Sequence, residues 1–256
     1  MLGNVGTRLR VETGDKVLIG GFIINGTQNK RMLLRGIGPS LAGVGVQGAL
    51  PDTTLELYDS NGLLVFNDDW KETQEAEIQA TGMAPSMDSE SAIVATLPAN
   101  GAIYTVVLRG AGGRTGIGVV EAYDLDPSAN SQLANISTRA FVQTGDNVLI
   151  AGTIIVGDAP QKVLVRAIGP TLPFAGALPD PTLELRDGNG AVIAANDNWV
   201  DSPNKQAIID TSIPPGSDFE SAIVATLPAA GASYTAIVRG VNDTTGIAVV
   251  EVYALN

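Results

Sequence analysis

The hydrophobic pattern of the chain is one of short β-strands separated by turn residues. An apolar run over residues 17–24 ends at Asn25-Gly26, and a second run over residues 31–37 ends at Gly38-Pro39. Runs of this length, rich in β-branched residues and bounded by Gly, Pro and Asn, are typical of strands. The first part of the chain is therefore predicted to be β-structure.

A β-hairpin is the clearest single element in the pattern. Residues 54–58 alternate apolar and polar side chains, as a strand with one buried face does. They lead through Asn61-Gly62 into the apolar run 63–66, and Asn-Gly between two such runs is the strongest short-range hairpin signal. Asp187-Gly188-Asn189-Gly190 repeats this turn later in the chain and predicts a second hairpin.

Strands continue beyond the hairpin, with one interruption. Apolar runs over Ser91–Leu97, residues 103–109 and residues 116–123 bring the number to about eight strands before the pattern starts again. Residues 72–81 and 202–211 instead contain helix-forming residues. A short helix or a turn is predicted in each of these two places.

The pattern starts again because the chain contains two copies of one sequence. The ten residues from Glu90 to Ala99 return without change from Glu220 to Ala229, and Thr13-Gly14-Asp15 returns as Thr144-Gly145-Asp146. A period of about 130 residues is far longer than the ~20–50 residues of a solenoid repeat, so each copy is long enough for its own core.

The predicted fold is therefore all-β, with two tandem homologous antiparallel β-sandwich domains of jelly-roll or immunoglobulin-like type. The expected boundaries are residues 1–126 for the first domain, 127–134 for a linker and 135–256 for the second domain. A unique active site is not normally duplicated with its scaffold, so the repeat favours a structural or binding protein over an enzyme.

Composition removes several classes of function. The net charge is −12, from 15 basic and 27 acidic residues, and it opposes sequence-independent binding of nucleic acid or of anionic lipid. The chain has no Cys and no His, which excludes disulfides, thiol nucleophiles and Ser-His-Asp triads. No apolar run reaches the ~18 residues that a membrane-spanning helix needs.

The best candidate for a ligand site is a set of oxygen-bearing side chains that occurs once in each copy. Clustered Asp and Asn with a Glu from another strand are the hard ligands that Ca²⁺ takes. No cofactor is predicted apart from this candidate Ca²⁺ ion. The same residues also cap turns, and that structural role stays open beside the metal site. The candidate ligands are Asn67, Asp68, Asp69 and Glu90 in the first copy, and Asn196, Asp197, Asn198 and Glu220 in the second.

Arginines within or at the ends of apolar strands form a second set of candidates. Arg35 and Arg166 precede Gly-Pro turns, while Glu121 and Glu251 lie in the last strand of each copy. Arg–Glu pairs across the sheet are expected, and a contact with an anion or a glycan is the alternative. No pair of carboxylates is singled out as a glycosidase would need, and no enzyme is predicted.

The chain resembles two kinds of bacterial module. Thr13-Gly14-Asp15, Gly38-Pro39 and Glu90-Ser91-Ala92, with their second copies, resemble an uncharacterised β-sandwich repeat domain of large secreted proteins of environmental bacteria. The hairpin with Leu55-Glu56-Leu57 is similar, more loosely, to the pre-peptidase C-terminal domain. The resemblance implies an extracellular or cell-surface location and no catalysis, and the pair of domains also resembles subunits of extracellular helical filaments.

Filament assembly has a physical basis in the first strand of each copy. Residues 133–139 are expected to enter the first domain as an added strand, and their counterparts, residues 2–8, would then dock in the second domain of a neighbouring chain. Such head-to-tail contacts build open polymers of the chain with itself. In the alternative, each strand starts its own sandwich. The expected assembly residues are Leu2, Asn4, Val5, Thr7, Arg8 and Leu9.

The sequence therefore supports two functions. The first is a structural subunit of an extracellular filament, joined by donation of the N-terminal strand. The alternative is a cell-surface adhesion or glycan-binding module, with or without dependence on Ca²⁺.

Overall fold

The computed structural model describes residues 2–229 and 231–255, and strands dominate its regular structure. The first copy contains β1 (Leu2–Val11), β2 (Leu18–Gly26), β3 (Lys30–Ile37), β4 (Thr53–Asp59), β5 (Gly62–Asn67), β6 (Ser91–Leu97), β7 (Asn100–Gly110) and β8 (Gly116–Asp124). The second copy contains β9 (Ser131–Val142), β10 (Leu149–Ile155), β11 (Gln161–Ile168), β12 (Pro181–Asp187), β13 (Val192–Asn196), β14 (Ser221–Leu227), β15 (Ala232–Gly240) and β16 (Gly246–Leu255). Two short helices, α1 (Glu75–Ala80) and α2 (Lys205–Ile209), lie where the sequence predicts a helix or a turn.

The chain folds as two compact units. The first unit is Gly3–Ala134, and the second contains Leu2 together with Asn135–Asn256. Residues 127–134, expected from the sequence to be a linker, are in part a strand, because β9 begins at Ser131. The start of each copy thus belongs to the unit formed by the other copy.

Each unit is built from antiparallel strands, as the sequence predicts. In the first unit, one sheet has the order β1-β8-β3-β6, and the other has the order β2-β7-β4-β5 with the start of β9 beside β2. In the second unit, the sheets are β9-β16-β11-β14 and β10-β15-β12-β13.

The two sheets of the first unit pack so closely that glycine is needed between them. A β-carbon added at Gly36 on β3 would lie 2.7 Å from the Cδ1 atom of Leu108 on β7, and one added at Gly118 on β8 would lie 2.9 Å from its Cδ2 atom. Leu108 is fully buried, as are Leu55 and Leu57 on the neighbouring strand β4. The fully buried leucines of β4 and β7 thus form the core between the sheets.

Helix α1 covers the outer face of one sheet. Its buried residue Ile78 packs with Leu33 of β3 and with Ala92 and Val94 of β6, and Trp70 completes the cluster. In the second unit, Ile208 of α2 packs in the same way on Leu164 and Ala222. The outer face of β3 and β6 is therefore a second, smaller core.

The outer face of the other sheet exposes large apolar side chains. Ile103 on β7 is 62% exposed and Phe66 on β5 is 51% exposed. Strand β5 pairs with β4 alone among the described residues and carries no charged side chain between Gly62 and Asn67. An uncharged apolar edge strand is an unprotected site for pairing with another chain.

The expected Arg–Glu pairs across the sheet are confirmed for two arginines. Arg35 donates from Nε and Nη2 to the Oε2 atom of Glu121, at 2.8 and 2.5 Å. Arg166 makes the same pair with Glu251, at 2.9 and 2.5 Å. Each guanidinium also donates to a backbone carbonyl, that of Met83 or its counterpart in the second unit.

The part of the chain that the structure describes contains no helix long and apolar enough to cross a membrane. Neither α1 nor α2 approaches the length and apolar character that a helix needs to cross a bilayer.

Candidate functional site

Two of the three candidate asparagines, Asn67 and Asn196, hold a bend in the chain through their side-chain hydrogen bonds. Asn67, at the end of β5, accepts a hydrogen bond from the backbone N–H of Ala92 at 2.8 Å and donates from Nδ2 to the carbonyl oxygen of Asp69 at 3.0 Å. Asn196 makes the same pair of bonds with Ala222 and Asn198, at 2.9 and 3.1 Å. These bonds fix the bend that follows the hairpin and so position the two residues after each asparagine.

The two candidate glutamates are fully buried, and their carboxylates accept hydrogen bonds from neighbouring loops. The carboxylate of Glu90 accepts hydrogen bonds from the backbone N–H groups of Gly38, Ser40 and Met87, and from the Ser40 hydroxyl at 2.5 Å. Glu220 accepts five such bonds in the second unit. Each glutamate thus ties together the loops around it, and Glu90 is not one of the carboxylates that gather with Asp68.

The aspartates after Asn67 meet a residue that the sequence analysis missed. Asp68, Asp69 and Asp52 bring one carboxylate oxygen each to within 4.8 Å of one another. The Oδ1 atom of Asp68 is buried and accepts no hydrogen bond from the described residues. Asp52 lies just before β4, and its signal in the sequence is the tripeptide Leu-Pro-Asp, which occurs once in each copy.

The surroundings of Asp68 disfavour its charged form. Partial burial raises the pKa of the Asp68 carboxyl, and the neighbouring carboxylates of Asp52 and Asp69 raise it further. Arg114 acts in the opposite direction, because its positive charge favours the ionised carboxylate. The cluster is thus a place where negative charges oppose one another and where a cation would relieve the repulsion.

The second unit has the corresponding residues, with one amide in place of a carboxylate. Asp180 corresponds to Asp52, and partial burial together with the charge of Asp197 raises its pKa. The Oδ1 atoms of Asp180 and Asn198 are both buried and accept no hydrogen bond from described residues. Unpartnered oxygens therefore occur in this region of both units, although on different residues: on Asp68 in the first, and on the counterparts of Asp52 and Asp69 in the second.

The local charge of the two clusters is equal although their residues differ. In the first unit, three carboxylates are accompanied by Arg114, whose Nη1 atom lies 2.7 Å from Asp52. In the second unit, Asn198 stands in place of Asp69, and Thr244 stands in place of Arg114. Counted over these residues alone, three negative charges with one positive, and two negative charges with none, both give a formal charge of −2.

The expected assembly strand is divided between the two units. Residues Asn4 to Val11 of β1 pair with β8 of their own copy, with Asn4 opposite Tyr123 and Val11 opposite Gly116. Leu2 is fully buried and belongs to the second unit. Thr7 and Leu9 are buried, Asn4 and Arg8 are partly exposed, and the side chain of Val5 lies outside the described part.

The junction between the copies shows the corresponding arrangement. Residues Ser131 to Ala134 belong to the first unit, where the start of β9 lies beside β2. The backbone N–H of Thr27 donates to the carbonyl oxygen of Asn130 at 2.8 Å, and Leu133, the counterpart of Leu2, is 1% exposed. The strand expected over residues 133–139 thus contributes its first residues to the first unit.

Comparisons with known proteins identify no family. No protein-family model and no curated protein matches the chain. Among solved structures, it is similar to the tandem CBM51 modules of the family 98 glycoside hydrolase from Streptococcus pneumoniae SP3-BS71, with a TM-score of 0.28 and 8% identity over 91% of this chain and 79% of that chain.

Two further structures show likeness at the same level. The M60 catalytic domain with the CBM51-1 and CBM51-2 domains from Clostridium perfringens ZmpB gives a TM-score of 0.24 and 5% identity, over 91% of this chain and 33% of that chain. The structure of Sulfolobus Turreted Icosahedral Virus gives a TM-score of 0.26 and 12% identity, over 96% of this chain and 85% of that chain. TM-scores in this range do not establish a common fold, so the function is argued from the residues of this chain.

Proposed function

We propose that this chain is a non-catalytic, Ca²⁺-dependent binding module that works outside the bacterial cell and attaches to surface glycans. The observation that carries the proposal is the oxygen cluster present in both units. It is formed by Asp52, Asp68 and Asp69 in the first unit, and by Asp180, Asp197 and Asn198 in the second.

The chemistry of the clusters fits Ca²⁺. This ion takes about six to eight oxygen ligands from carboxylates, amide carbonyls and water. Each cluster offers oxygens of this kind, of which Asp68 Oδ1, Asp180 Oδ1 and Asn198 Oδ1 have no hydrogen-bond partner among the described residues. A local charge of −2 matches one divalent cation. Asn67 and Asn196 then hold the ligand-bearing bend in place, as residues behind a metal site do.

The duplication fits a repetitive ligand. Two homologous units on one chain raise the overall affinity for a partner that presents the same group many times, since the second contact becomes intramolecular. A glycan chain is such a partner. The net charge of −12 would repel nucleic acid and strongly anionic polymers, so the proposed partner is a glycan without a high negative charge.

The Ca²⁺ part of the proposal is tested by thermal unfolding with Ca²⁺ and with a chelator. We expect Ca²⁺ to raise the melting temperature, because an ion that binds only the folded state stabilises it. The double variant Asp68→Asn/Asp197→Asn should lose most of this increase. The control Asp15→Asn/Asp158→Asn removes the same charge from exposed positions and should keep it. Equal melting temperatures with and without Ca²⁺ would reject the metal site.

The glycan part is tested by electrophoresis through gels that contain dissolved polysaccharides. We expect at least one neutral polysaccharide to retard the protein in Ca²⁺, and a chelator to weaken that retardation. Free migration through every polysaccharide gel in Ca²⁺ would contradict a glycan-binding function while leaving the metal site intact.

A second candidate function is the filament subunit, and two observations favour it. Leu2 is fully buried in the second unit, so the same docking by the N-terminal strand of a neighbouring chain would join chains head to tail. The edge strands β5 and β13 expose apolar side chains, with Phe66 51% and Val192 52% exposed. Both features suit contacts between copies of this chain.

The filament candidate is tested by sedimentation velocity and negative-stain microscopy over a range of concentrations. We expect fibres from the full chain and none after deletion of residues 1–10. A full chain that stays monomeric at high concentration would reject the filament. Fibres that persist after the deletion would reject strand donation but leave assembly through β5 and β13.

A further inference from the structure

Each unit carries a cavity at one end, and the two cavities are formed by corresponding loops. In the first unit, the lining includes Thr13 and Gly14 after β1 and Arg109 at the end of β7, around a volume of about 210 Å³. In the second unit, the lining includes Thr144 and Arg239, around about 340 Å³. The cavities share their scaffold, so their differences show what each can bind.

The arginine of the first cavity is held by its own sheet. The Nε atom of Arg109 lies 3.5 Å from the Oε2 atom of Glu56 on β4. The hydroxyl of Tyr58 donates to the same oxygen at 2.8 Å. Glu56 thus holds the Arg109 guanidinium in an ion pair within the first unit.

The arginine of the second cavity is free of this contact. Arg186 stands where the first unit has Tyr58, and it donates from Nε and Nη2 to Glu184, the counterpart of Glu56, at 3.0 and 2.6 Å. The guanidinium of Arg239 makes no ion pair and no hydrogen bond with the described residues. The exchange of Tyr for Arg therefore leaves Arg239 available at the cavity.

We infer that the second-unit cavity binds one neutral sugar residue of a glycan, an inference that rests on the proposed glycan-binding function. Sugar hydroxyls both donate and accept hydrogen bonds. The residues that line the cavity include Arg239, which can donate, Asp146 and Asp243, which can accept, and Thr144, which can do either.

The charge of the cavity decides which kind of sugar it accepts, and its volume decides which of the two cavities is large enough. One arginine and two aspartates give the second cavity a charge of −1, which disfavours uronic acids and other anionic sugars. Its volume of about 340 Å³ lies within the ~300–1,000 Å³ of small-molecule sites, whereas the 210 Å³ of the first cavity lies below that range. Of these two cavities, the one in the second unit therefore fits a sugar residue.

The test is NMR of arginine Nε–H resonances in the full chain with Ca²⁺. The probes are cellotriose, maltotriose and mannotriose, with trigalacturonate as the anionic comparison. We expect at least one neutral trisaccharide to shift the Arg239 resonance, and trigalacturonate to leave it unchanged. A shift with trigalacturonate alone, or none with any neutral probe, would overturn the inference.

Three variants distinguish sugar binding at this cavity from sugar binding elsewhere on the protein. Arg239→Gln should weaken binding of the active trisaccharide about tenfold or more, since hydrogen bonds from a charged donor are lost. Arg186→Tyr should weaken it as well, because Glu184 then becomes free to hold Arg239. The matched control Arg109→Gln, at the corresponding position of the first unit, should bind as the wild type does.

The results also distinguish this inference from the proposed function. If polysaccharide gels retard the protein but Arg239→Gln migrates as the wild type does, the glycan function stands and the cavity is the wrong site. If no polysaccharide retards the wild type, the glycan function itself fails, and the cavity inference fails with it.

Discussion

Ser40 donates its hydroxyl hydrogen to the Oε1 atom of Glu90 at 2.5 Å, and Thr171 makes the same bond with Glu220 at 2.6 Å. Both glutamates are fully buried. The side chain of the donor differs between the copies while the hydroxyl is kept. A buried carboxylate is tolerated only when its oxygens are satisfied, so the hydroxyl and the surrounding N–H groups form one unit with each glutamate.

Replacement of this carboxylate should be strongly destabilising. We expect Glu90→Gln to lower the free energy of unfolding by about 3 kcal/mol, because an amide NH₂ then faces backbone donors in a buried site. Urea denaturation measures the change. Glu75→Gln, on the exposed side of α1, is the control and should shift the value by less than about 0.5 kcal/mol. Equal effects of the two variants would contradict the assigned role.

Asp68 should impose a pH dependence on the Ca²⁺-free protein. Its pKa is raised in the folded state, so folding disfavours the charged form above that pKa. This destabilisation disappears as the pH falls through the raised pKa and below the ordinary value. We therefore expect Asp68→Asn to melt at a higher temperature than the wild type at pH 7 in chelator, and the difference to shrink towards acid pH.

The same substitution should have the opposite effect when Ca²⁺ is present. Asp68→Asn removes a ligand, so the wild type should then melt at the higher temperature at pH 7. Melting curves of both proteins at several pH values, with and without Ca²⁺, measure the two effects. A variant that is less stable than the wild type in chelator would show that the repulsion between these carboxylates is not relieved by the amide.

Arg35 should not be replaceable by lysine. Its guanidinium donates to Glu121 from two nitrogens and to the Met83 carbonyl from a third, and a single ammonium group does not reproduce this geometry. We expect Arg35→Lys to lower the free energy of unfolding by about 1–3 kcal/mol. Arg31→Lys is the control, because its pair with Glu77 is exposed and should be worth less than about 1 kcal/mol.

The strand added to the first unit can be tested at Gly26. A β-carbon at Gly26 would overlap Asn130 and Ser131, whereas one at the corresponding Gly157 would meet nothing within 4 Å. Both glycines have positive φ, at 145° and 94°, so alanine strains the backbone at either site. We expect Gly26→Ala alone to speed hydrogen exchange at residues 131–134. Similar exchange in both variants would argue against close packing of this segment on β2.

The positions of strands and helices followed from local sequence, whereas the grouping of side chains at the site did not. The hairpin of β4 and β5 was predicted because Asn61-Gly62 separates two apolar runs, and α1 because its residues favour a helix. Such signals act within a few residues of one another. Strand pairing adds partners from far along the chain, and the alternation of side chains alone does not specify which strands those are.

The candidate metal site shows this difference most clearly. The sequence predicts Asp68 and Asp69 as ligands because they are adjacent, and Glu90 as a carboxylate supplied by another strand. The structure turns Glu90 inward to backbone N–H groups and brings in Asp52, which precedes a different strand. Asp52 and Glu90 are both acids beside strand ends, and only the fold decides which of them reaches Asp68.

The equal charge of the two aspartate clusters has a consequence for exchanging residues between the copies. Asp69 with Arg114 in one unit and Asn198 with Thr244 in the other behave as two alternative solutions to the same electrostatic requirement. If only one residue of such a pair were transferred to the other unit, the formal charge of that unit's cluster would change by one. The duplicated gene therefore encodes two sets of residues, each balanced within its own unit. Recombination that exchanges whole units keeps each set together, whereas recombination within a unit would separate the residues of a set.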